Sequence, residues 1–288
     1  MNEVDYIIPK NLEEVFRAVE KKNRKIKFIA GCTNVIPYMR EEAISPELLI
    51  DLSSLENLDY IREENGIIAI GALTTISKLT ASEIIRNQSP ILFSAASLLG
   101  NPLTRNRATI GGNLADASPA ADMVPPLLAL EAFVHTKRSE GEGREIFLDK
   151  FFLGPNKTVL AEDEIITHIT FSKPKDSARG IYIKLGLRNS MAISIVSIAL
   201  MIEMEGKVCQ KARVALGAVS PTPIRVYPLE KNLEEKEIDQ KIIQECSVIL
   251  KEEISPISDI RASAEYRKLA TSVLFERAIQ KVLNGEKT

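Results

Sequence analysis

The sequence predicts a mixed α/β fold continued by a smaller α+β region, on three observations. Up to Phe171, short apolar runs that stop at glycine alternate with stretches of helical spacing. A polar stretch bearing proline and glycine, SKPKDSARG from Ser172 to Gly180, then interrupts the pattern. Beyond it two apolar runs meet at a Glu-Gly-Lys turn and give way to charged helix.

The elements follow in order. LEEVFRAVEKK, Leu12 to Lys22, has helical spacing, and Asn11 stands where an N-cap belongs. KIKFIAG, ending at Gly31, and LLIDLSSL around Asp51 read as strands, with a helix or turn between them. GIIAIGALTTISKL, Gly66 to Leu79, reads as a strand, a glycine turn and a helix capped by Thr75 or Ser77. PILFSAASLLG, Pro90 to Gly100, is a helix ended by glycine. Pro125 and Pro126 stand at the entry of LLALEAFV, which begins as helix and passes into strand. TKRSEGEGRE, Thr136 to Glu145, is a hairpin or surface loop, and a strand follows from Ile165 to Phe171. AISIVSIALMIEMEGKVCQKARVALGAVS supplies two more strands, and Leu229 to Lys287 is mostly helix interrupted by ISPISDIRAS.

A chain of 288 residues has room for two domains, and 45% hydrophobic with 26% charged residues excludes disorder. The net charge of −2 argues against a general nucleic-acid binder. The start lacks a basic segment followed by an apolar one, so a cytoplasmic location is expected. The longest apolar stretch, Ile193 to Met204, falls short of the roughly 20 residues of a spanning helix, so no membrane insertion is expected. Cys32, Cys209 and Cys246 are far apart without a C-x-x-C, so the chain offers no zinc site and no iron–sulfur cluster.

Neither G-x-G-x-x-G after a strand nor G-x-x-x-x-G-K-[ST] occurs, which disfavours Rossmann and P-loop folds. Two short glycine loops stand out instead, IAGCTNV from Ile29 to Val35 and ATIGGN from Ala108 to Asn113. Gly31, Cys32, Thr33 and Asn34 could present consecutive amides to an anion, and Thr109 and Asn113 could add side-chain donors. By themselves Gly111 and Gly112 read first as a structural tight turn, since only glycine freely reaches positive φ. Asp116 and Asp122 read either as a helix N-cap with its neighbour or as ligands. His135 and His168, without a paired carboxylate pattern, read as structural, Cys209 and Cys246 as buried small hydrophobes, and KKNRKIK, Lys21 to Lys27, as a solvated helix end. No catalytic set and no metal cluster follows from spacing, so a bound cofactor would carry any chemistry.

These loops, together with FIAGCTNVIPYMR, IGALTTISKL, ATIGGNLADASPAADMVPPLLALEA, FFLGPNKTVLAEDEII, IYIKLGLRNSMAISIVSIAL, GAVSPTPIR and RASAEYRKLA, resemble the FAD-binding subunit of the bacterial molybdenum hydroxylases. That family includes xanthine dehydrogenase, carbon monoxide dehydrogenase and nicotinate dehydrogenase. The resemblance implies an FAD-binding module of the p-cresol methylhydroxylase or vanillyl-alcohol oxidase type over residues 1–175. That module has two α/β subdomains split near 55–65, and an α+β domain follows over 178–288. It also implies that Phe28, Ile29, Ala30, Gly31, Cys32, Thr33, Asn34 and Val35 wrap the FAD diphosphate with Thr109, Ile110, Gly111, Gly112 and Asn113. By the same matching Asp122 meets the adenosine portion, Ile166 lines the adenine or ribose side, and Lys184 lies near the isoalloxazine ring. Where many relatives read A-G-G-T-D or A-G-G-x-S, Cys32 replaces a glycine and Asn34 an acid or serine, so Cys32 is expected in a conformation open to a residue with a Cβ.

The function implied is an FAD-carrying electron-transfer subunit of a xanthine-dehydrogenase-like molybdenum hydroxylase, working as a heterotrimer. A molybdenum-cofactor subunit and an iron–sulfur subunit are its expected partners and hold those cofactors, with NAD as the expected electron acceptor. Two alternatives stand beside it: the medium subunit of a carbon monoxide dehydrogenase or other heterocycle hydroxylase with a quinone acceptor, and a cofactor-free scaffold that kept the fold.

Overall fold

The computed structural model describes residues 4–20, 24–139, 141–188 and 191–286. Several sequence readings reach residues outside that set: the helix end at Lys21 and Lys22, the basic stretch through Asn23, Glu140 of the polar loop, Asn189 and Ser190, the helical stretch at Lys287, and the domain bounds at residues 1 and 288.

The first layer is a three-stranded parallel sheet of β1 (Asp5–Ile7), β2 (Ile26–Ile29) and β3 (Leu48–Asp51), in the order β1-β3-β2. Helix α1 (Leu12–Val19) begins at the expected cap, because the Asn11 side chain accepts from the Glu14 amide at 2.9 Å. Its Val15, Phe16, Ala18 and Val19 close a small core with Ile50 and Leu55. Helix α2 (Val35–Arg40) follows the first glycine loop directly.

A five-stranded sheet comes next, in the order β4-β5-β10-β6-β7. The hairpin β4 (Ile61–Glu64) and β5 (Ile67–Gly71) leads into α3 (Ile76–Ala81), whose N-cap is Thr75, accepting from the Lys78 amide. Helices α4 (Glu83–Gln88), α5 (Pro90–Leu98) and α6 (Pro102–Arg105) follow, with Gly100 after α5 at φ +51°, a value that favours glycine. Next come α7 (Ile110–Ala115), α8 (Val124–Ala129) and β6 (Phe133–Lys137). Strand β7 (Glu145–Phe147) pairs antiparallel with β6, so the polar segment between them is a hairpin connection. A small ribbon of β8 (Phe152–Gly154) and β9 (Lys157–Thr158) precedes β10 (Ile165–Ser172).

Strands β11 (Ala178–Leu185), β12 (Val196–Glu205), β13 (Val208–Gly217) and β14 (Ile224–Arg225) form an antiparallel sheet, with β15 (Lys236–Glu237) on β13. The polar stretch read as a linker is shorter than its composition suggests, since Ser172 ends β10 and Ala178–Gly180 already pair with β12. In β12 alternate residues face opposite cores. Ala199 and Met201 join the central core with α5 and α8, while Ile198, Leu200 and Ile202 pack under α9 (Tyr227–Leu233), α10 (Gln240–Glu253) and α11 (Ala264–Leu283). Burial on both faces accounts for the uninterrupted apolar run in the sequence. Among the described residues no helix is long and apolar enough to cross a membrane.

His135 and His168 are cross-strand partners on β6 and β10, stacked with ring centroids 4.1 Å apart and planes 4° from parallel. Burial, reinforced by the neighbouring His135 and by Arg62, pushes the His168 imidazole down to about 4. A histidine lowered in the folded state binds its proton more readily when unfolded, so its contribution is complete above about pH 6.5 and is lost as pH falls toward 4. Urea midpoints are therefore expected to fall across that window, and His168→Gln to flatten the fall. An unchanged slope in the variant would assign the pH dependence to other groups.

Candidate functional site

A cleft of about 2170 Å³ lies where the three sheets meet. Its walls include the first loop, Phe28 to Val35, the second at Thr109, Gly111, Gly112 and Asn113, then Asp122, Ile166, and the Met191–Ser194 segment of the last sheet. That volume exceeds the roughly 300–1,000 Å³ of a typical small-ligand pocket, so an extended ligand has room to lie across several elements. Fourteen of the sixteen residues singled out from the sequence line it; Ile110 and Lys184 do not.

The first loop is held by backbone contact. A Cβ on Gly31 would stand 1.9 Å from the Arg107 carbonyl oxygen, so only glycine lets the two loops approach this closely. Cys32 then turns through φ +59°. The position is thus less open to a residue with a Cβ than expected, because the left-handed region crowds any Cβ. Replacing Cys32 by glycine is expected to raise stability by up to about 1 kcal/mol, part of it offset by glycine's greater chain entropy in the unfolded state. A lowered thermal midpoint for Cys32→Gly would contradict that reading. After the turn, the amides of Cys32, Thr33, Asn34 and Val35 have no hydrogen-bond partner among the described residues. They form a run of donors on the wall of the cleft.

The second loop differs from its sequence reading. Gly111 and Gly112 do not form a positive-φ turn; they are the second and third residues of α7. A Cβ on Gly111 would meet Ala72 at 2.7 Å, and the Gly111 amide donates to the Ala72 carbonyl at 2.9 Å. Thr109 caps the helix by accepting from the Gly112 amide at 3.1 Å, while the Asn113 amide donates to the Thr109 carbonyl at 3.0 Å. The four amides from Ile110 to Asn113 are therefore satisfied internally. What this loop offers the cleft is bare backbone at the exposed Gly112 and the Asn113 side chain. The Asn113 Oδ1 accepts from the Met123 amide at 3.3 Å, leaving Nδ2 as a donor. Ile110 is fully buried in the central core, so its side chain serves packing.

Asp116 joins the two loops. Its carboxylate accepts from Asn34 Nδ2 at 2.7 Å and from the Tyr38 hydroxyl at 3.5 Å, while Asn156 Nδ2 donates to its backbone carbonyl at 2.9 Å. The Asn34 side chain is thereby engaged on the neighbouring loop. Burial pushes the Asp116 carboxyl above its usual range against the hydrogen bond from Asn34. Neither Asp116 nor Asp122 is an N-cap: Asp116 ends α7, and α8 starts after Met123 without a side-chain cap.

Asp122 accepts from Tyr182 Oη at 3.1 Å, Ser194 Oγ at 2.8 Å and Lys184 Nζ at 2.6 Å. Lys184 Nζ lies also 3.4 Å from the Leu98 carbonyl. Asp122 and Lys184 thus form one buried ion pair, with side chains 10% and 7% exposed. Groups in direct contact cannot serve opposite ends of an extended cofactor, so the expected placement of Asp122 at the adenosine portion and of Lys184 at the ring cannot both hold. Sequence reading missed Tyr182 and Ser194. Tyr182 stands two residues before Lys184 in β11, so strand alternation places both side chains on one face, and that signal was available. Ile166, nearly buried, lines the cleft from β10.

Comparison with known proteins places these features in context. Residues 2–174 match the family model described as FAD binding domain in molybdopterin dehydrogenase, and residues 181–282 that of the CO dehydrogenase flavoprotein C-terminal domain. The chain is 29% identical to the glyceraldehyde dehydrogenase medium chain of Sulfolobus acidocaldarius, across 97% of this chain and 98% of that one. It is also 29% identical to the 6-hydroxypseudooxynicotine dehydrogenase complex subunit alpha of Paenarthrobacter nicotinovorans, across 97% and 94%. Among solved structures, carbon monoxide dehydrogenase from Hydrogenophaga pseudoflava superposes with a TM-score of 0.95 at 28% identity, covering 99% of both chains.

Proposed function

Because this chain belongs to the family of FAD-binding subunits of molybdenum hydroxylases, we propose that it is the FAD-carrying electron-transfer subunit of a xanthine-dehydrogenase-like hydroxylase. One observation carries the placement of the cofactor: the unpartnered amides of Cys32 to Val35 and the Asn113 Nδ2 donor line one cleft, as an anionic diphosphate requires. The residues present fit the cofactor, since the close approach of Gly31 to Arg107 holds the two loops together and Gly112 adds no side chain to the wall between them. When bound, a flavin supplies the exchange between one-electron and two-electron transfer. This chain's residues bind it, orient it and keep water from it. Ile166 gives the cleft an apolar wall on the side proposed for the adenine or ribose, and the Asp122–Lys184 pair holds the Ser194 segment in place.

The reading extends to a heterotrimer with a molybdenum-cofactor subunit and an iron–sulfur subunit, and to NAD⁺ as acceptor. Residues 1–175, divided near 55–65, form the proposed FAD-binding unit, and 178–288 the unit that closes the cleft. The likeness to carbon monoxide dehydrogenase supports a second reading, the medium subunit of such an enzyme or of another heterocycle hydroxylase; in that reading a quinone takes the electrons. An absorbance spectrum of the purified chain reconstituted with FAD tests the first claim; a chain that stays colourless overturns it. Reoxidation of the reduced holoenzyme by NAD⁺ supports the first acceptor, and reoxidation by a quinone alone supports the second.

A further inference from the structure

Helix α8 is tied to the last sheet by a carboxylate at each end. All six of its residues are buried, and it packs on β12 and β13. Before its first turn, Asp122 accepts from Tyr182, Lys184 and Ser194 on the cleft wall. After its last turn, Glu131 accepts from Lys211 at 2.9 Å, Arg213 at 2.8 Å and Arg225 at 3.1 Å. Glu131 lies outside the residues that line the cleft.

The backbone at Glu131 is unusual for that residue type. The Ala132 amide donates to the Leu127 carbonyl and the Glu131 amide to the Leu128 carbonyl, each at 3.0 Å, with Glu131 at φ +55°. This is a Schellman termination, in which glycine normally occupies the left-handed position. A glutamate there is less favourable than glycine, because its Cβ is crowded in the left-handed region. Its carboxylate offsets that strain by gathering three cations, two of which are themselves fixed, Arg213 by Glu203 at 3.0 Å and Arg225 by Glu230 at 2.7 Å. Burial opposes the charge, yet the hydrogen bonds from Lys211 and Arg225 and the charge of Arg213 hold the Glu131 carboxyl down at about 2.

We propose that Glu131 is a positioning residue for the cleft: by pinning the far end of α8 to the last sheet, it sets the place of Asp122 and, through it, of Lys184 and Ser194. The five steps of α8 from Val124 to Ala129 rise about 7.5 Å at 1.5 Å per helical residue, and Asp122 and Glu131 each stand two residues beyond an end. Pro125 and Pro126 in the first turn stiffen that lever. The proposal rests on the reading of the cleft as the FAD site.

The test compares the full-length chain with Glu131→Gln, which keeps the shape and removes the charge, and Glu131→Gly, which also relieves the backbone strain. The Met123 amide, bonded to Asn113, and the Ala218 amide, bonded to the Pro119 carbonyl, report on the cleft without any ligand. Both variants are expected to exchange these two amides at least about fivefold faster, with the central residues of β12 unchanged. With FAD added, both are expected to bind it about tenfold more weakly and to shift its visible absorption band. Unchanged exchange at Met123 and Ala218 and an unchanged flavin band, alongside a lowered thermal midpoint, would reduce Glu131 to a structural latch and overturn the proposal. If the unsubstituted chain takes up no FAD, the flavin reading fails by itself, and the exchange rates alone decide the positioning claim.

Discussion

Gly31→Ala is expected to drive the two loops of the cleft apart and to release FAD. The added methyl would stand 1.9 Å from the Arg107 carbonyl oxygen and 2.5 Å from its carbon. Both are backbone atoms, and the adjoining Ala108 is tied to Ile76, so neither partner can turn aside as a side chain would. Relief requires the Gly31–Val35 segment to withdraw, taking its four unpartnered amides away from Asn113. Overpacking of this kind costs about 1–3 kcal/mol, and the displaced donors lower FAD affinity by at least about tenfold, or 1.4 kcal/mol. Calorimetric unfolding with a flavin fluorescence titration measures both. A variant with unaltered melting and unaltered FAD affinity would show that the loops are not held by this approach.

The largest loss of stability is expected from Asp122→Ala. Removing this carboxylate strips an acceptor from Tyr182, Ser194 and Lys184 at once, and the Lys184 ammonium stays buried with only the Leu98 carbonyl beside it among the described residues. Breaking a buried ion pair by deleting one partner costs about 3–5 kcal/mol, because the remaining charge has lost its compensation. Removing both charges costs far less. The double variant Asp122→Ala with Lys184→Met is therefore expected to recover most of the loss in urea denaturation, which a cycle of single and double variants resolves. Additive losses would mean that the pair does not interact as its 2.6 Å separation indicates.

Where local chemistry dictates structure, the sequence was legible. Asn11 and Thr75 cap the helices expected of them, and the Glu-Gly-Lys turn joins β12 to β13 where read. Short elements escaped, because the six residues of α4 and the two of β14 are too few to display a period. Long-range pairing escaped for a different reason. His135 meets His168 only through strand register, and Asp122 meets Lys184 across 62 residues of sequence. At the candidate site, the loops were legible from their glycines but not the reason for each glycine. Gly31 and Gly111 answer to close backbone approach, whereas left-handed positions on the cleft wall fall on residues such as Cys32, Met191 and Ala218, which no residue-type rule marks.

The central claim is that one cleft holds FAD between the donors of the first loop and the bare backbone of the second. Gly112 tests it most directly, since it is exposed on the wall and a Cβ there would approach only its own cap, Thr109 Oγ1, at 2.8 Å. Equilibrium FAD binding to the full-length chain and to Gly112→Val, with folding checked by circular dichroism, is the decisive measurement. One FAD per unsubstituted chain is expected, with loss of binding in a variant that stays folded. Full flavin occupancy in folded Gly112→Val would contradict it.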